Sequence, residues 1–329
     1  MYSLSLQSQI FLKVSYPNSR SLVAYKRIKK LGEQILRSVK FKRLRSIIKS
    51  VVSVVRPSGN VSVIAHPTVE LVGCEPQQIT IMSANLWHDW PRTRRLRDRL
   101  ECFAELIKEE GVDILLLQEL IRTDRFEADK WLSEKLGMAY IYARSNGNAQ
   151  GIGFEEGLAI YSRFPIRDHR LAQLSDQNNP FSRRMALGTR IETTGKDFFV
   201  FSVHLGILNK QNEKQLSRLR NWVEKESGDT PAVIGGDFNT QERSKQIQSA
   251  KSEWHDSYRT LNPHDNGYSH ELRWPWGTVL RRARLDYLFL RKGYFSWRVD
   301  EARHIEEQSC PLSDHKPVLI KTSFGPTGI

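Results

Sequence analysis

Short apolar runs of strand length alternate with amphipathic helical segments over about 250 residues, and this alternation limits the folds that the chain can adopt. Helices are predicted at 96–107, 124–136 and 211–226. No linker-like composition interrupts the alternation, so we predict one α/β domain in which helices cover stacked sheets. Seven apolar runs are typical of strands, many of them buried on both faces: 78–84, 112–118, 157–161, 198–204, 232–235, 285–290 and 317–320.

The first 60 residues have a different composition from the rest of the chain. They hold 13 of the 50 Lys and Arg residues but only one of the 37 acidic residues, Glu33, so residues 61–329 carry only +1 of the total charge of +13. Apolar residues recur there at three- and four-residue steps, which predicts a basic amphipathic helix. Its uses stay open: residues 25–55 could bind an anionic membrane surface, direct the chain to an organelle, contact nucleic acid, or dock as a solvated helix.

Charge and cysteine content exclude several classes of protein. Because residues 61–329 are nearly neutral, they do not form a domain that coats duplex DNA by charge alone. The three cysteines, Cys74, Cys102 and Cys310, are widely spaced and odd in number, which argues against a disulfide framework or a four-thiolate zinc site and favours an intracellular location. The longest apolar stretches are strand-sized, so no membrane-spanning helix is expected.

Polar residues stand at the ends of the strand-like runs. Core strands do not need a polar tip, whereas a metal site built from several strands does. Carboxylate and amide oxygens suit Mg²⁺, with Mn²⁺ as the alternative, better than they suit structural zinc. The residues in such positions are Asn85, Glu119, His204, Asp237, Asn239, Asp286, Asp314 and His315.

Seven short motifs in this chain occur in the order found in the endonuclease/exonuclease/phosphatase superfamily, which the chain resembles over residues 78–323. Any one of these strings arises by chance in many proteins, but seven in the family's order form a specific signal. They are Asn85, Gln118-Glu119, Tyr161-Ser162-Arg163-Phe164-Pro165, Ser202-Val203-His204-Leu205, Gly236-Asp237-Phe238-Asn239, Leu285-Asp286-Tyr287 and Ser313-Asp314-His315-Lys316-Pro317.

The resemblance implies a fold and a reaction. Residues 76–325 would form a four-layer α/β sandwich, with two stacked, mainly antiparallel or mixed sheets between helices. The domain would hydrolyse phosphodiester bonds with a divalent ion, by in-line attack of water. Glu119 would be the principal metal ligand, and Asn85 and Asp314 would help to hold the ion or its waters.

The resemblance also implies catalytic roles. Asp237 would orient or deprotonate the attacking water, and Asn239 would steady that water or the phosphate oxygens. His204 and His315, the latter backed by Asp286, would donate to the phosphoryl oxygens or the leaving group. In-line attack on phosphorus develops negative charge on oxygen, which a metal and cationic imidazoles would stabilise.

The stretch 201–205 bears on which branch of the superfamily the chain resembles. The apurinic-site endonucleases carry an Asn-x-Tyr-x-Pro-like stretch there, so that repair role is disfavoured. His204 instead is similar to the histidine of deoxyribonucleases, sphingomyelinases and related phosphodiesterases. By analogy with the pancreatic-type deoxyribonucleases, Glu155 or Glu156 would be its acidic partner.

The substrate is less constrained by the sequence. Arg184, Trp274 and Trp276 are candidates for substrate binding, since cations and indole rings suit both nucleic acid and lipid headgroups. A cluster of arginines between 92 and 99 could track an anionic substrate or be a solvated helix face. Nucleic acid and phospholipid therefore both remain possible substrates, and no protein partner is inferred.

Two alternatives to a general phosphodiesterase stay open. One is a sphingomyelinase-like or phosphoinositide hydrolase working at a membrane surface. The other is an inactive binding module tethered to membranes by residues 1–60. The five intact residues Glu119, Asp237, Asn239, Asp286 and His315 argue against the inactive module, because a dead copy has no chemical need for all of them.

Overall fold

A computed structural model describes most of the chain beyond residue 60. The described ranges are 61–64, 78–88, 95–149, 153–176, 183–274, 277–306 and 312–325. The predicted amphipathic segment at 1–60 lies outside them, so the uses considered for it remain predictions. Within the described ranges, none of the helices has the length and apolar character needed to span a membrane.

The described residues form fifteen strands and five helices. The strands are β1 Val61–Ile64, β2 Ile79–Asn85, β3 Ile114–Thr123, β4 Ala139–Asn148, β5 Phe154–Ser162, β6 Arg170–Gln173, β7 Met185–Ile191, β8 Phe198–His204, β9 Ala232–Asp237, β10 His255–Asp256, β11 His270–Arg273, β12 Val279–Ala283, β13 Asp286–Arg291, β14 Trp297–His304 and β15 Val318–Phe324. The helices are α1 Leu96–Glu109, α2 Ala128–Leu136, α3 Asn209–Ser227, α4 Lys245–Lys251 and α5 Ser257–Leu261.

The strands pair into two large sheets and one hairpin. The first sheet has the order β1-β4-β5-β3-β2-β15-β14, and the second has the order β10-β13-β9-β8-β7-β6. Each sheet contains one parallel pair, β2 with β3 and β8 with β9, and its other pairs are antiparallel. Strands β11 and β12 form a separate antiparallel hairpin.

Alternation of side chains along buried strands divides the core into layers. On β3, Ile114 and Leu116 face the second sheet, whereas Leu115 and Leu117 pack with the apolar faces of α1 and α2. Helices α3 and α4 cover the outer face of the second sheet. The layers are therefore helices, sheet, sheet and helices, which confirms the predicted four-layer sandwich.

The predicted strands and helices are present, and the additional strands are the ten-residue β4 and several short or polar strands. Strand β14 was not predicted from the sequence, because it is an edge strand with few buried residues. Helix α2 begins at Ala128 rather than 124, because β3 continues to Thr123 and residue 122 forms a bridge with Glu127. Cys102 on α1 is disulfide-bonded, a bond that the spacing of the cysteines does not predict.

Candidate active site

The register of the strands brings the predicted site residues to one edge of the sandwich. In the first sheet, Asn85 at the end of β2 pairs with Gln118 on β3. In the second sheet, Asp237 at the end of β9 lies between His204 on β8 and Asp286 on β13. Because both sheets end here, polar tips that are far apart in sequence become neighbours.

Asp237 lies at the centre of a buried polar cluster. Its carboxylate accepts hydrogen bonds from the Asn85 side chain at 3.2 Å and from the backbone and side-chain nitrogens of Asn239 at 2.8 and 2.9 Å. Burial raises the pKa of Asp237 to about 7, although the His315 imidazolium opposes this shift. A carboxylate with a pKa near neutrality is suited to accept a proton at physiological pH.

His315 and Asp286 form a hydrogen-bonded pair beside Asp237. The Nδ1 atom of His315 lies 2.8 Å from Oδ2 of Asp286, and the Ser269 hydroxyl donates to the same oxygen at 2.6 Å. Burial alone would lower the pKa of His315, but Asp286 and Asp237 raise it to about 10. His315 is therefore an imidazolium at neutral pH, as the sequence predicts for an imidazole backed by a carboxylate.

His204 has the opposite electrostatic environment. Its Nε2 atom lies 3.5 Å from Oδ2 of Asp237, yet burial and the nearby Arg184 guanidinium lower the pKa of His204 well below its ordinary value. The ring is thus neutral at pH 7, whereas the sequence suggested two cationic imidazoles. This leaves His204 as a neutral hydrogen-bonding group with the Arg184 guanidinium close to it.

Glu119 occupies a β-bulge in β3, where the register with β5 shifts between Leu117 and Leu120. Its backbone has φ +55°, a left-handed conformation that costs a non-glycine residue about 1–3 kcal/mol. Trp87 and Asn239 are the other non-glycine residues with positive φ in the described part of the chain. All three adjoin the predicted site residues, so backbone strain is concentrated at this edge.

The oxygen-rich composition of the site fits a divalent cation. Partial desolvation by its neighbours raises the pKa of Asp314, and the negative charge of Glu119 adds to that shift despite the opposing His315. Several carboxylates are thus close enough to repel one another, and a bound cation would relieve that repulsion. Glu119, Asn85 and Asp314 offer the oxygen donors that Mg²⁺ and Mn²⁺ prefer.

His88 lies beside Glu119 in the candidate site and is not among the residues predicted from the sequence. Its backbone nitrogen donates to Oε2 of Glu119 at 3.2 Å, and its Nε2 atom lies 3.5 Å from the same oxygen. Nε2 also lies 3.2 Å from Oε2 of Glu156. No periodic pattern marked His88, and its position three residues after Asn85 was the only available signal.

The two candidate partners of His204 have different environments. The Glu155 carboxylate lies 3.7 Å from Arg122 and accepts from the backbone nitrogen of Ala149 at 3.1 Å. Glu156 instead is close enough to His204 for its charge to oppose the lowering of the His204 pKa. Of the two glutamates, Glu156 is therefore the one that faces the site.

The β11–β12 hairpin extends from the edge that carries the candidate site. His270, its first residue, forms a bridge with His315, and the two rings lie 4.5 Å apart. Leu272, Trp274 and Leu280 on the hairpin are exposed. Trp276, the other tryptophan predicted to bind substrate, lies outside the described residues.

A cavity opens beside His315 between this hairpin and the loop that precedes β15. Its volume is about 370 Å³, and its lining includes Trp87, Asp314, His315 and Lys316. The Arg99 guanidinium donates to the carbonyls of residues 86, 87 and 312 at 3.0 Å each, which fixes two walls of the cavity. A phosphate at His315 could therefore carry a bulky group into this space.

Comparison with known proteins gives a family match whose range contains the candidate site from Asn85 to His315. The model of the endonuclease/exonuclease/phosphatase family matches residues 82–315. Among curated proteins, the uncharacterized protein YbhP of Escherichia coli strain K12 is 28% identical over 140 residues, which is 42% of this chain. The chain spans about half the length of that relative, 52%.

Solved structures share the fold at low sequence identity. An endonuclease/exonuclease/phosphatase family protein from Leptotrichia buccalis has a TM-score of 0.62 at 19% identity, over 75% of this chain and 100% of its own. TDP2 of D. rerio, complexed with single-strand DNA product, has a TM-score of 0.60 at 19% identity, over the same fractions of the two chains. These likenesses are evidence for the fold.

Proposed function

The chain belongs to the endonuclease/exonuclease/phosphatase family, and on that premise we propose that it is a divalent-metal-dependent phosphodiesterase. One observation carries the proposal. A carboxylate with a pKa near 7, Asp237, lies 4.0 Å from the Nε2 atom of an imidazolium, His315, at a strand edge rich in oxygen ligands. A proton acceptor and a cation side by side suit attack of water on a phosphate ester.

In this proposal Asp237 accepts the proton of the attacking water. The amides of Asn85 and Asn239 donate to the Asp237 carboxylate, so they hold it in a fixed orientation. The charged ring of His315 donates from Nε2 toward the phosphoryl oxygens, while Asp286 keeps Nδ1 protonated and the ring in place. His204 donates as a neutral imidazole beside Asp237.

Glu119, Asn85 and Asp314 would hold the divalent ion. The ion would act as a Lewis acid and stabilise the negative charge that develops on the phosphoryl oxygens. The choice of Mg²⁺ rests on the donor set alone, and Mn²⁺ suits the same oxygens.

Nucleic acid is the substrate class that we propose first. A structural neighbour, TDP2 of D. rerio, was solved with a single-strand DNA product. In this chain the cavity beside His315 has the exposed Trp87 ring in its wall, which could stack on an unpaired base. Arg184, close to His204 and Asp237, adds a positive charge that a phosphate backbone would favour.

A panel assay tests the activity and the substrate class together. Full-length protein with Mg²⁺ or Mn²⁺ is incubated with single-stranded DNA, plasmid DNA, single-stranded RNA, sphingomyelin, a phosphoinositide and a phosphomonoester. We expect hydrolysis of single-stranded nucleic acid and a loss of roughly 100-fold or more in Asp237→Asn. Asp229→Asn, an exposed aspartate, is the matched control and should keep wild-type rates. Equal rates in Asp237→Asn and wild type would refute the proposal.

A second candidate is hydrolysis of a lipid phosphodiester at a membrane. It is favoured by the exposed apolar side chains of Leu272, Trp274 and Leu280 on the hairpin whose base contacts the His315 ring. Sphingomyelin and phosphoinositide in the panel separate this candidate from the first. Deletion of residues 1–57 would then test the membrane use proposed for that segment, through binding to anionic vesicles.

A further inference from the structure

We propose that His88 and Glu156 are ligands of the same metal ion as Glu119, so that the site binds a transition ion such as Mn²⁺ more tightly than Mg²⁺. The inference deepens the proposed function and rests on it, since Glu119 is the principal ligand there. It adds a nitrogen donor to a metal site for which the sequence predicts only oxygen donors.

The distances between the donor atoms are those expected around one ion. The Nε2 atom of His88 lies 3.5 Å from Oε2 of Glu119 and 3.2 Å from Oε2 of Glu156. Two ligand atoms about 2.1 Å from a common ion are roughly 3.0–3.5 Å apart at octahedral or tetrahedral angles. All three donor atoms lie within 4.8 Å of one another.

Neighbouring groups hold the side chains of Glu156 and His88 in place. Asn146 donates to Oε1 of Glu156 at 2.9 Å, which leaves Oε2 directed at His88. The Phe154 and His88 rings pack edge to face, with their centroids 5.2 Å apart. Partners that orient a ligand without touching the ion are typical of metal sites.

The backbone around the cluster is also fixed. Arg99 donates to the carbonyls of Leu86 and Trp87, so the segment that carries His88 is tied to α1. Glu119 is turned out of the regular side-chain alternation of β3 by the bulge, at φ +55°. A strained conformation persists only where the surroundings determine it, and here it directs Glu119 to His88.

The donor set decides which ion is preferred. Imidazole binds Mn²⁺ and later transition ions better than it binds Mg²⁺, whereas carboxylates accept all of them. One imidazole with two carboxylates therefore favours the transition ion. The side chains of His88, Glu119 and Glu156 are 21%, 20% and 11% exposed, so an ion can enter from solvent.

Metal binding measured without substrate tests the inference. Full-length protein stripped of metal is titrated with Mn²⁺ and with Mg²⁺ by calorimetry, and the Mn²⁺ complex is examined by electron spin echo envelope modulation. We expect ¹⁴N modulation from a coordinated imidazole in the wild type and its loss in His88→Gln. The Kd for Mn²⁺ should rise at least about tenfold in His88→Gln and in Glu156→Gln, with little change for Mg²⁺ in His88→Gln.

The control is His255→Gln, which removes a histidine on β10 that pairs with Leu290, away from the site edge. It should keep the modulation and both Kd values. Absence of ¹⁴N modulation in the wild type, or its persistence in His88→Gln, overturns the inference. Failure of the proposed function alone would give a different result. The modulation and the Mn²⁺ affinity would then be as expected, but no phosphodiester would be cleaved.

Discussion

The Nδ1 atom of His315 lies 2.8 Å from Oδ2 of Asp286, and Ser269 donates to that same carboxylate oxygen at 2.6 Å. The Ser269 hydroxyl in turn accepts from the backbone nitrogens of residues 285 and 286 at 3.0 Å each. Asp286 is therefore held on both sides, and its orientation determines that of the His315 ring. We therefore expect the two residues to act as a single unit.

Asp286→Asn should lower kcat by roughly 100- to 10,000-fold, because the amide no longer stabilises an imidazolium and can hold the ring in the wrong tautomer. His315→Ala should lower kcat at least as much. The double variant should be no slower than His315→Ala alone, since groups that act as a unit are not additive. Steady-state kinetics of the three variants checks this, with thermal unfolding to show that each is folded. Multiplicative losses in the double variant would contradict the pairing.

Chelation should abolish turnover, because the carboxylates around Glu119 cannot stabilise a phosphoryl anion without a cation. Addition of Mg²⁺ or Mn²⁺ in excess of chelator should restore the rate. Glu119→Gln should not recover under the same conditions, since it lacks the principal ligand charge. The measurement is the rate of substrate cleavage before and after metal addition. Unchanged turnover in excess chelator would show that the reaction needs no metal.

Gly236→Ala should destabilise the protein by about 2–5 kcal/mol. Gly236 has φ +150°, and a Cβ atom there would lie 2.0 Å from the carbonyl oxygen of Val203 on the neighbouring strand. Relief of that clash would separate β8 from β9 and displace Asp237. Urea unfolding measures the loss. Gly137→Asn is the control, because Gly137 ends α2 in the left-handed conformation with open space around it, and its cost should stay below about 1 kcal/mol.

Glu242 should contribute to stability in a pH-dependent way. Burial would raise its pKa, but the hydrogen-bonded Arg259 and the nearby Arg284 lower it to about 2, from an ordinary value of 4.5. A carboxyl with a lowered pKa in the folded state stabilises the protein fully above its unfolded pKa, and this contribution is lost as pH falls through the folded pKa.

The stability difference between wild type and Glu242→Gln should therefore be constant above about pH 5 and shrink between 4.5 and about 2. Urea unfolding of both proteins across that range measures it. Glu134→Gln, an exposed glutamate on α2, is the control and should show a small, nearly pH-independent difference. A difference that stays constant down to the lowest pH would contradict the proposed ion pairing.

The fold and the gathering of polar strand ends at one edge of the sandwich were predictable because both depend on local patterns. Buried strands are apolar on both faces, and polar residues such as Asp237 stand at their ends. Strand β14 was not predictable, since its residues are mostly half-exposed and its place at the sheet edge is a tertiary property.

Other features depend on contacts that no sequence pattern records. His88 lies in a segment without periodicity, and its approach to Glu156 joins residues that are far apart in the chain. The neutral state of His204 follows from its burial and from Arg184, neither of which its immediate neighbours reveal. The bulge at Glu119 is not visible in the sequence either, because the runs 114–117 and 120–121 that flank it are apolar, as in a regular buried strand.

The left-handed backbone at Glu119 has a consequence for engineering. Glycine adopts this conformation without the steric cost that glutamate bears, so a glycine at this position would relax the strand while removing the proposed ligand. A library selected only for heat resistance would therefore be expected to enrich inactive variants at this position. Selections that aim for a more robust enzyme should couple survival to turnover from the first round.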